Sequence, residues 1–272
     1  MTDGLDSLQG LNSLDSLTGL AGVVILAGGA SRRMGTPKAK LTLPTNESLL
    51  DYHVRYAIGL KVPIIIADNE RGFTVTPELL LNSSESSISY VADYGSTTTI
   101  GDDSDTVTGG ALVAIESALQ SLKKQLLVKQ SLVKQPLANT TDAGTLKNEQ
   151  SSWLMVISCD SLIPASDLWQ KLQPYTRALT DNDIKKAQQT GQMPDKKVIC
   201  LTDETHLYPL LGLYDLSIEP DLKTYIDSGE RQVMAFIKPM TQAIPIVKEW
   251  QPLTNFNTPE DFKRACVALY DL

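Results

Sequence analysis

One segment constrains this chain more than any other: Leu26-Ala27-Gly28-Gly29-Ala30-Ser31-Arg32-Arg33-Met34-Gly35-Thr36-Pro37-Lys38, where a short β-branched stretch runs into a glycine-rich loop bearing three cations. Consecutive glycines let the backbone approach a ligand closely, and their N–H groups can line a concave anion site. Arg32, Arg33 and Lys38 concentrate positive charge in a chain whose formal net charge is −8. The loop has neither the Gly-Lys-Ser/Thr spacing of a Walker sequence nor the Gly-x-Gly-x-x-Gly spacing of a dinucleotide fold. A third type of phosphate loop follows, placed after the first strand of an open α/β sheet, where such sheets bind ligands.

The rest of the chain fits that placement. Short apolar runs alternate with longer helix-like stretches, the pattern of parallel strands joined by crossover helices. Strands are expected at 23–26, 64–67, 87–92, 154–158 and 210–214, and helices at 49–60, 110–122, 164–172, 218–226 and after Pro259. The fold class is therefore α/β, a doubly wound three-layer sandwich with a mostly parallel sheet. With 272 residues and 42% hydrophobic content, residues 21–272 can form one domain around a full core. In residues 1–20 leucines recur every third position, a period that drifts off a helical face, and glycines weaken a helix further. A mobile tail is expected there, with a partner-docking segment as the other reading. Residues 95–108, rich in Thr, Ser, Asp and Gly, and residues 123–152, polar and degenerately repetitive, read as surface insertions.

An acidic chain lacks the basic face that nucleic-acid binding requires, so no nucleic-acid partner is expected. Three scattered cysteines, Cys159, Cys200 and Cys266, suit neither a disulfide framework nor a paired-cysteine zinc site. No secretory leader or apolar run of membrane-spanning length is present, and a cytoplasmic protein that does not engage membranes is expected.

Asp160 stands at the carboxyl end of an expected strand, where a carboxylate can hold a magnesium ion bridging phosphate oxygens; it can equally cap a helix. Asn255 and Asn257 offer amides suited to a polar heterocycle, although Asn, Thr and Pro together also start helices. His53 falls inside the first helix and reads as packing rather than catalysis.

Four stretches together resemble the molybdenum cofactor guanylyltransferases, the MobA-like nucleotidyltransferases. They are the glycine loop with its Lys38, the strand end Val156-Ile157-Ser158-Cys159-Asp160 followed by Pro164, Gly229-Glu230-Arg231-Gln232-Val233-Met234, and Asn255-Phe256-Asn257-Thr258-Pro259-Glu260. The resemblance implies a nucleotide-diphospho-sugar transferase-like, Rossmann-like fold and transfer of GMP from GTP to the terminal phosphate of molybdopterin. It also implies proteins that deliver molybdopterin and molybdoenzymes that receive the product. Catalysis is then carried by Lys38, Asp160 and Arg32. The nucleotide falls to Leu26, Ala27, Gly28, Gly29, Lys38, Ala67, Asn69, Asp93 and Asp160, with Mg2+ on Asp160. Asn255, Asn257 and Arg231 serve the pterin side. Arg231 also suits a surface ion pair, and Asp93 an ordinary turn. The chain departs from the family at Ala67, where an asparagine is usual and Asn69 lies two residues on, and at Gly110 and Val113, where proline and glycine are usual. A cytidylyltransferase, a sugar-phosphate nucleotidyltransferase and a non-catalytic nucleotide-binding regulator are the alternatives.

Overall fold

Aliphatic side chains alternate between the two faces of every central strand, and both faces are apolar, so the sheet requires cover on both sides. The computed structural model, which describes residues 19–29, 31, 33–83, 85–94, 109–133, 152–176 and 196–271, provides that cover. In β1 (Leu20–Leu26) Val23 and Ile25 enter one core cluster and Val24 the other. In β2 (Ile64–Ala67) and β4 (Trp153–Ser158), Ile64, Ile66, Met155 and Ile157 join the first cluster, and Ile65, Ala67, Leu154 and Val156 the second. With β3 (Ile88–Val91), β5 (Val198–Thr202), β6 (Leu207–Asp215) and β7 (Thr241–Pro245) they form a seven-stranded sheet in the order β3-β2-β1-β4-β6-β5-β7. β6 alone in this sheet runs against its neighbours β4 and β5, and the other pairings are parallel. The expected doubly wound, mostly parallel α/β sandwich is the observed fold.

On the first face pack α1 (Leu49–Ile58), α4 (Ala165–Leu172) and α7 (Pro259–Tyr270). Ser48 caps α1 by accepting from the Asp51 N–H, and Thr258 and Asp261 form a reciprocal capping box at α7. A short α2 (Pro77–Leu81) precedes β3. The second face is covered by α3 (Ala111–Val133), α5 (Glu219–Asp227) and α6 (Val233–Ile237). Leu112, Ile115, Leu119 and Leu122 form the fully buried stripe of α3. A side chain at Gly22 would meet Leu122 and the Pro63 carbonyl at 3.1 Å, so glycine there lets the helix lie close to β1.

Two expectations are corrected. The helix expected to stop at residue 122 continues to Val133, so 123–133 is not an insertion: Leu126 still packs on the second core, and Lys123 pairs with Glu219 of α5 at 2.6 Å. β1 begins at Leu20, which is buried, so that residue is strand rather than tail. Residues 1–18, 95–108 and 134–151, on which the expected tail and the insertions otherwise fall, lie outside the described residues. β5, β7, α2 and α6 were not anticipated. Among the described residues no helix is long and apolar enough to cross a membrane.

Candidate active site

β1, β2, β3 and β4 run parallel, so their carboxyl ends share one rim of the sheet, with Leu26 in register with both Ala67 and Ser158. Above that rim opens a cleft of about 440 Å³. Every backbone segment leaving the rim contributes to it, because parallel strands deliver their connections to the same side.

The glycine loop is a hydrogen-bonded turn. Ser31, at φ 44°, donates its hydroxyl to the Gly29 carbonyl at 3.3 Å and accepts the Lys38 backbone N–H at 3.1 Å. The Met34 N–H returns to the Ser31 carbonyl, and the Met34 side chain is buried in the core. Beyond Pro37 a single 3-10 turn, Lys38–Lys40, buries Ala39 and leaves Lys38 facing the cleft. A side chain on Gly28 would meet Asn69 Cβ at 3.0 Å, so glycine lets the loop pass close to the connection after β2.

That connection is shaped by Asp68, a buried carboxylate that accepts the N–H groups of Glu70 at 3.2 Å and Phe73 at 3.1 Å. The turn holds Asn69 and Glu70 at φ 53° and 56° and places Asn69 on the cleft wall. Arg71 then donates to the Gly29 carbonyl at 3.2 Å, tying the two loops together. Asp93 accepts the Gly109 N–H at 3.1 Å, fixing the approach to α3, whose first residues, with Gly110, form an apolar wall. Burial pushes the Asp93 carboxyl upward; the Gly109 hydrogen bond and the Arg71 charge oppose it.

Further charged groups line the same cleft. Lys38 Nζ donates to Asn257 Oδ1 at 2.9 Å, lies 4.0 Å from Asp160 Oδ2, and sits 5.7 Å above the Phe256 ring. Ser158, buried at the end of β4, donates its hydroxyl to Asp160 Oδ1. One carboxylate oxygen is thereby held while the other faces Lys38. The Asp160 carbonyl accepts the Phe256 N–H at 3.2 Å, which fastens the C-terminal Asn-x-Asn segment to the strand end. Burial lowers the Lys38 pKa, Asp160 raises it and Arg33 lowers it. A half-buried ammonium, a carboxylate and a loop of backbone N–H groups around one cavity can bind a polyphosphate and neutralise charge as it develops.

Most of the residues singled out in the sequence meet here: Leu26, Ala27, Gly28, Gly29, Lys38, Ala67, Asn69, Asp93, Asp160 and Asn257 all line the cleft. Asn255, at φ 56°, does not, but both its oxygens accept from the Asn257 side-chain amide. Arg231 lies apart, its guanidinium donating to the carbonyls of Ile226 and Glu230 at 2.7 Å. Arg32 falls outside the described residues. His53 is fully buried, and burial pushes its pKa down to about 4, so it packs as a neutral ring away from the cleft. The Ala27 and Gly28 N–H groups both donate to the Ala67 carbonyl, and the Leu26 carbonyl accepts the Cys159 N–H. Ser158 and Arg71 were not anticipated. A serine immediately before a Cys-Asp strand end was a visible signal for the first, whereas nothing local announces that Arg71 reaches Gly29.

A sequence model of the MobA-like NTP transferase domain matches residues 23–243. Among solved structures, molybdopterin-guanine dinucleotide biosynthesis protein A from Archaeoglobus fulgidus shares the fold with a TM-score of 0.53 at 17% identity, over 92% of this chain and 100% of that one. A putative protein from Aquifex aeolicus VF5 aligns at a TM-score of 0.49 and 15% identity, over 89% of this chain and 96% of that one. A nucleoside-diphosphate-sugar pyrophosphorylase from Vibrio cholerae RC9 aligns at 0.46 and 12%, over 90% and 99%.

Proposed function

We propose, from the premise that the chain belongs to the MobA-like NTP transferase family and is a nucleotidyltransferase, that it transfers GMP from GTP to the terminal phosphate of molybdopterin. A phosphate oxygen of the acceptor forms a bond to the α-phosphorus of GTP, and the bond from that phosphorus to the β-phosphate bridging oxygen breaks. Molybdopterin guanine dinucleotide and pyrophosphate result. The attacking phosphate is already an anion, so no activated Ser, His or Cys is needed and catalysis falls to alignment and charge neutralisation. The observation that carries this reading is the meeting of Lys38, Asp160 and Asn257 in one cleft, since they bring the glycine loop, the Cys-Asp strand end and the Asn-x-Asn segment together.

Lys38 and the glycine loop hold the triphosphate, and Arg32, beside them in sequence, supports the same oxygens. Asp93 and Asn69 stand on the base and ribose side, and Asn255 and Asn257 on the pterin side. Asp160 suits Mg2+, a hard cation that binds through one or two carboxylates and takes its other ligands from substrate oxygens and water. Among the described residues no group of three His, Cys, Asp or Glu forms a protein cage, which fits that sparse mode. The ion would neutralise triphosphate charge. Arg231, whose Nη1 is engaged with the Ile226 and Glu230 carbonyls at the end of α5, serves the pterin side through its remaining donors. The reaction belongs to the cytoplasm, with a molybdopterin-delivering protein before it and a molybdoenzyme after it.

Calorimetric titration with GTP and with CTP in the presence of magnesium, followed by pyrophosphate release with molybdopterin, tests the proposal. GTP is expected to bind more tightly. Lys38→Ala should remain folded and lose at least about tenfold in turnover, near 1.4 kcal/mol. Tighter CTP binding would replace the guanylyl assignment by a cytidylyl one, and full turnover in Lys38→Ala would remove the phosphate role of the loop.

A further inference from the structure

The connection after β2 braces the glycine loop along its length. Gly28 passes against Asn69, Arg71 donates through Nη1 to the Gly29 carbonyl at 3.2 Å, and the Lys40 ammonium sits 5.3 Å above the ring of the buried Phe73. The brace is itself fixed, because the Asp68 carboxylate accepts from Glu70 and Phe73 and the Asp68 carbonyl accepts the Arg71 N–H at 3.3 Å. Within the loop, Ala27 and Gly28 direct their N–H groups to the Ala67 carbonyl, so donors to an anion begin at Gly29. Packing does not hold that residue, since nothing lies within 4 Å of where its side chain would be. Its carbonyl is held by two donors, Ser31 Oγ at 3.3 Å and Arg71. A peptide group is planar, so fixing its oxygen fixes the direction of its N–H, and a charged donor on the oxygen polarises the whole group. Of the two donors Arg71 is the charged one. Its charge also bears on Asp93, whose pKa burial raises and Arg71 lowers.

We propose that Arg71 is a positioning residue for the triphosphate: through the Gly29 carbonyl, which it shares with Ser31, it sets the peptide plane of the glycine loop so that N–H groups rather than a carbonyl oxygen meet the polyphosphate. This rests on the transferase reading of the cleft and deepens it, because control of the phosphate loop then lies on the strand connection that also carries Asn69. Arg71 does not line the cleft and acts through Gly29. A nucleoside triphosphate therefore depends on Arg71. A nucleoside monophosphate, which has no β- and γ-phosphates to set against the loop, depends on it far less.

The experiment compares GTP with GMP, each with magnesium, by calorimetric titration into the wild type, Arg71→Ala, Arg71→Lys, Ser31→Gly and the Arg71→Ala/Ser31→Gly double variant. Thermal melts establish folding, and Arg71→Gln carries the same comparison should Arg71→Ala melt low. Glycine is chosen at Ser31 because the φ of 44° there suits it. Arg71→Ala should weaken GTP about tenfold, the scale of a hydrogen bond from a charged group, and GMP by less than about twofold. Arg71→Lys, which keeps a charged donor, should retain most of the GTP affinity. Because both side chains act on one carbonyl, their losses should overlap, leaving the double variant within about threefold of the weaker single one, whereas independent contacts multiply. Wild-type GTP affinity in Arg71→Ala, equal losses for GTP and GMP, or losses that multiply in the double variant would each overturn the proposal, the last by making Arg71 a direct phosphate ligand. If the wild type prefers CTP, CTP and CMP replace the guanine pair. Wild-type protein that binds neither GTP nor CTP would refute the transferase reading itself, an outcome distinct from a failed comparison.

Discussion

Lys38 keeps a charge in a half-buried place, and its neighbours decide over what pH range it does so. Burial lowers its pKa below the usual 10.5, Asp160 works against that and Arg33 adds to it. A triphosphate needs the protonated amine, so nucleotide affinity is lost as pH rises through the lowered pKa. Arg33→Gln removes one lowering neighbour, and the alkaline loss of affinity should move to higher pH even though affinity at neutral pH falls. Calorimetry across a pH series checks this, and an unmoved alkaline limb would disprove it. Asp160 depends on Ser158 in a comparable way, because the serine hydroxyl holds one carboxylate oxygen while the other faces the cleft. In the proposed reaction Ser158→Ala should raise the magnesium concentration for half-maximal turnover roughly tenfold, the usual scale for losing a group that orients a metal ligand. Manganese binding followed by electron paramagnetic resonance gives the same comparison without turnover, and unchanged binding would make Ser158 a packing residue. The glycines, Lys38 and Asp160 were legible in the sequence because each belongs to a local pattern. The pairing of Lys38 with Asn257 was not, since only the folded sheet brings those two segments together.

Glu116 faces the junction of α3 with α5 and is fully buried. Gln120 donates to one of its oxygens at 2.9 Å, and the Glu219 carboxyl, paired with Lys123, lies nearby. Burial pushes Glu116 up to about 7; the Gln120 hydrogen bond opposes that and Glu219 reinforces it. The folded state thus holds the proton more tightly than the unfolded chain, whose ordinary value is 4.5. The stabilisation from the neutral acid is complete below that value and is lost as pH rises towards about 7. Glu116→Gln should remove this loss, narrowing the gap in Tm between pH 5 and pH 8, and an unchanged gap would show that Glu116 does not titrate there. The same junction explains why the end of α3 was misread. Lys123, Lys124 and Gln125 look like an exit into solvent, yet the partly buried Leu126 still packs against the second core and Lys123 reaches α5. β7 was hidden for a different reason: Thr241–Pro245 is an edge strand, where one side needs no partner and a terminal proline is tolerated, so its apolar signal is weak.

Across the whole molecule the sheet was legible at its centre, where the apolar runs of β1, β2 and β4 are unbroken, and poorly legible beyond β4, where β6 reverses direction. A reversed strand within a parallel pattern depends on which neighbours it finds, and sequence periodicity does not encode neighbours. The C-terminal segment is fastened to this centre by the Phe256 N–H on Asp160 and by the Phe256 ring, 1% exposed and 5.2 Å from that of Phe262. Phe256→Ala should cost about 3 kcal/mol of stability by emptying that position, and denaturant titration measures it. Its nucleotide affinity should change less than its stability if the glycine loop stands on its own core; equal losses would mean that the loop depends on the C-terminal segment. The strand order carries one more consequence. β1 lies between β2, which follows it closely in the chain, and β4, which begins only at Trp153. During synthesis the phosphate loop and its strand leave the ribosome long before the partner on their other side. Until that partner is made, β1 keeps an open apolar edge of the kind that recruits foreign strands. A chain released early therefore leaves that edge of β1 without the partner the fold assigns to it.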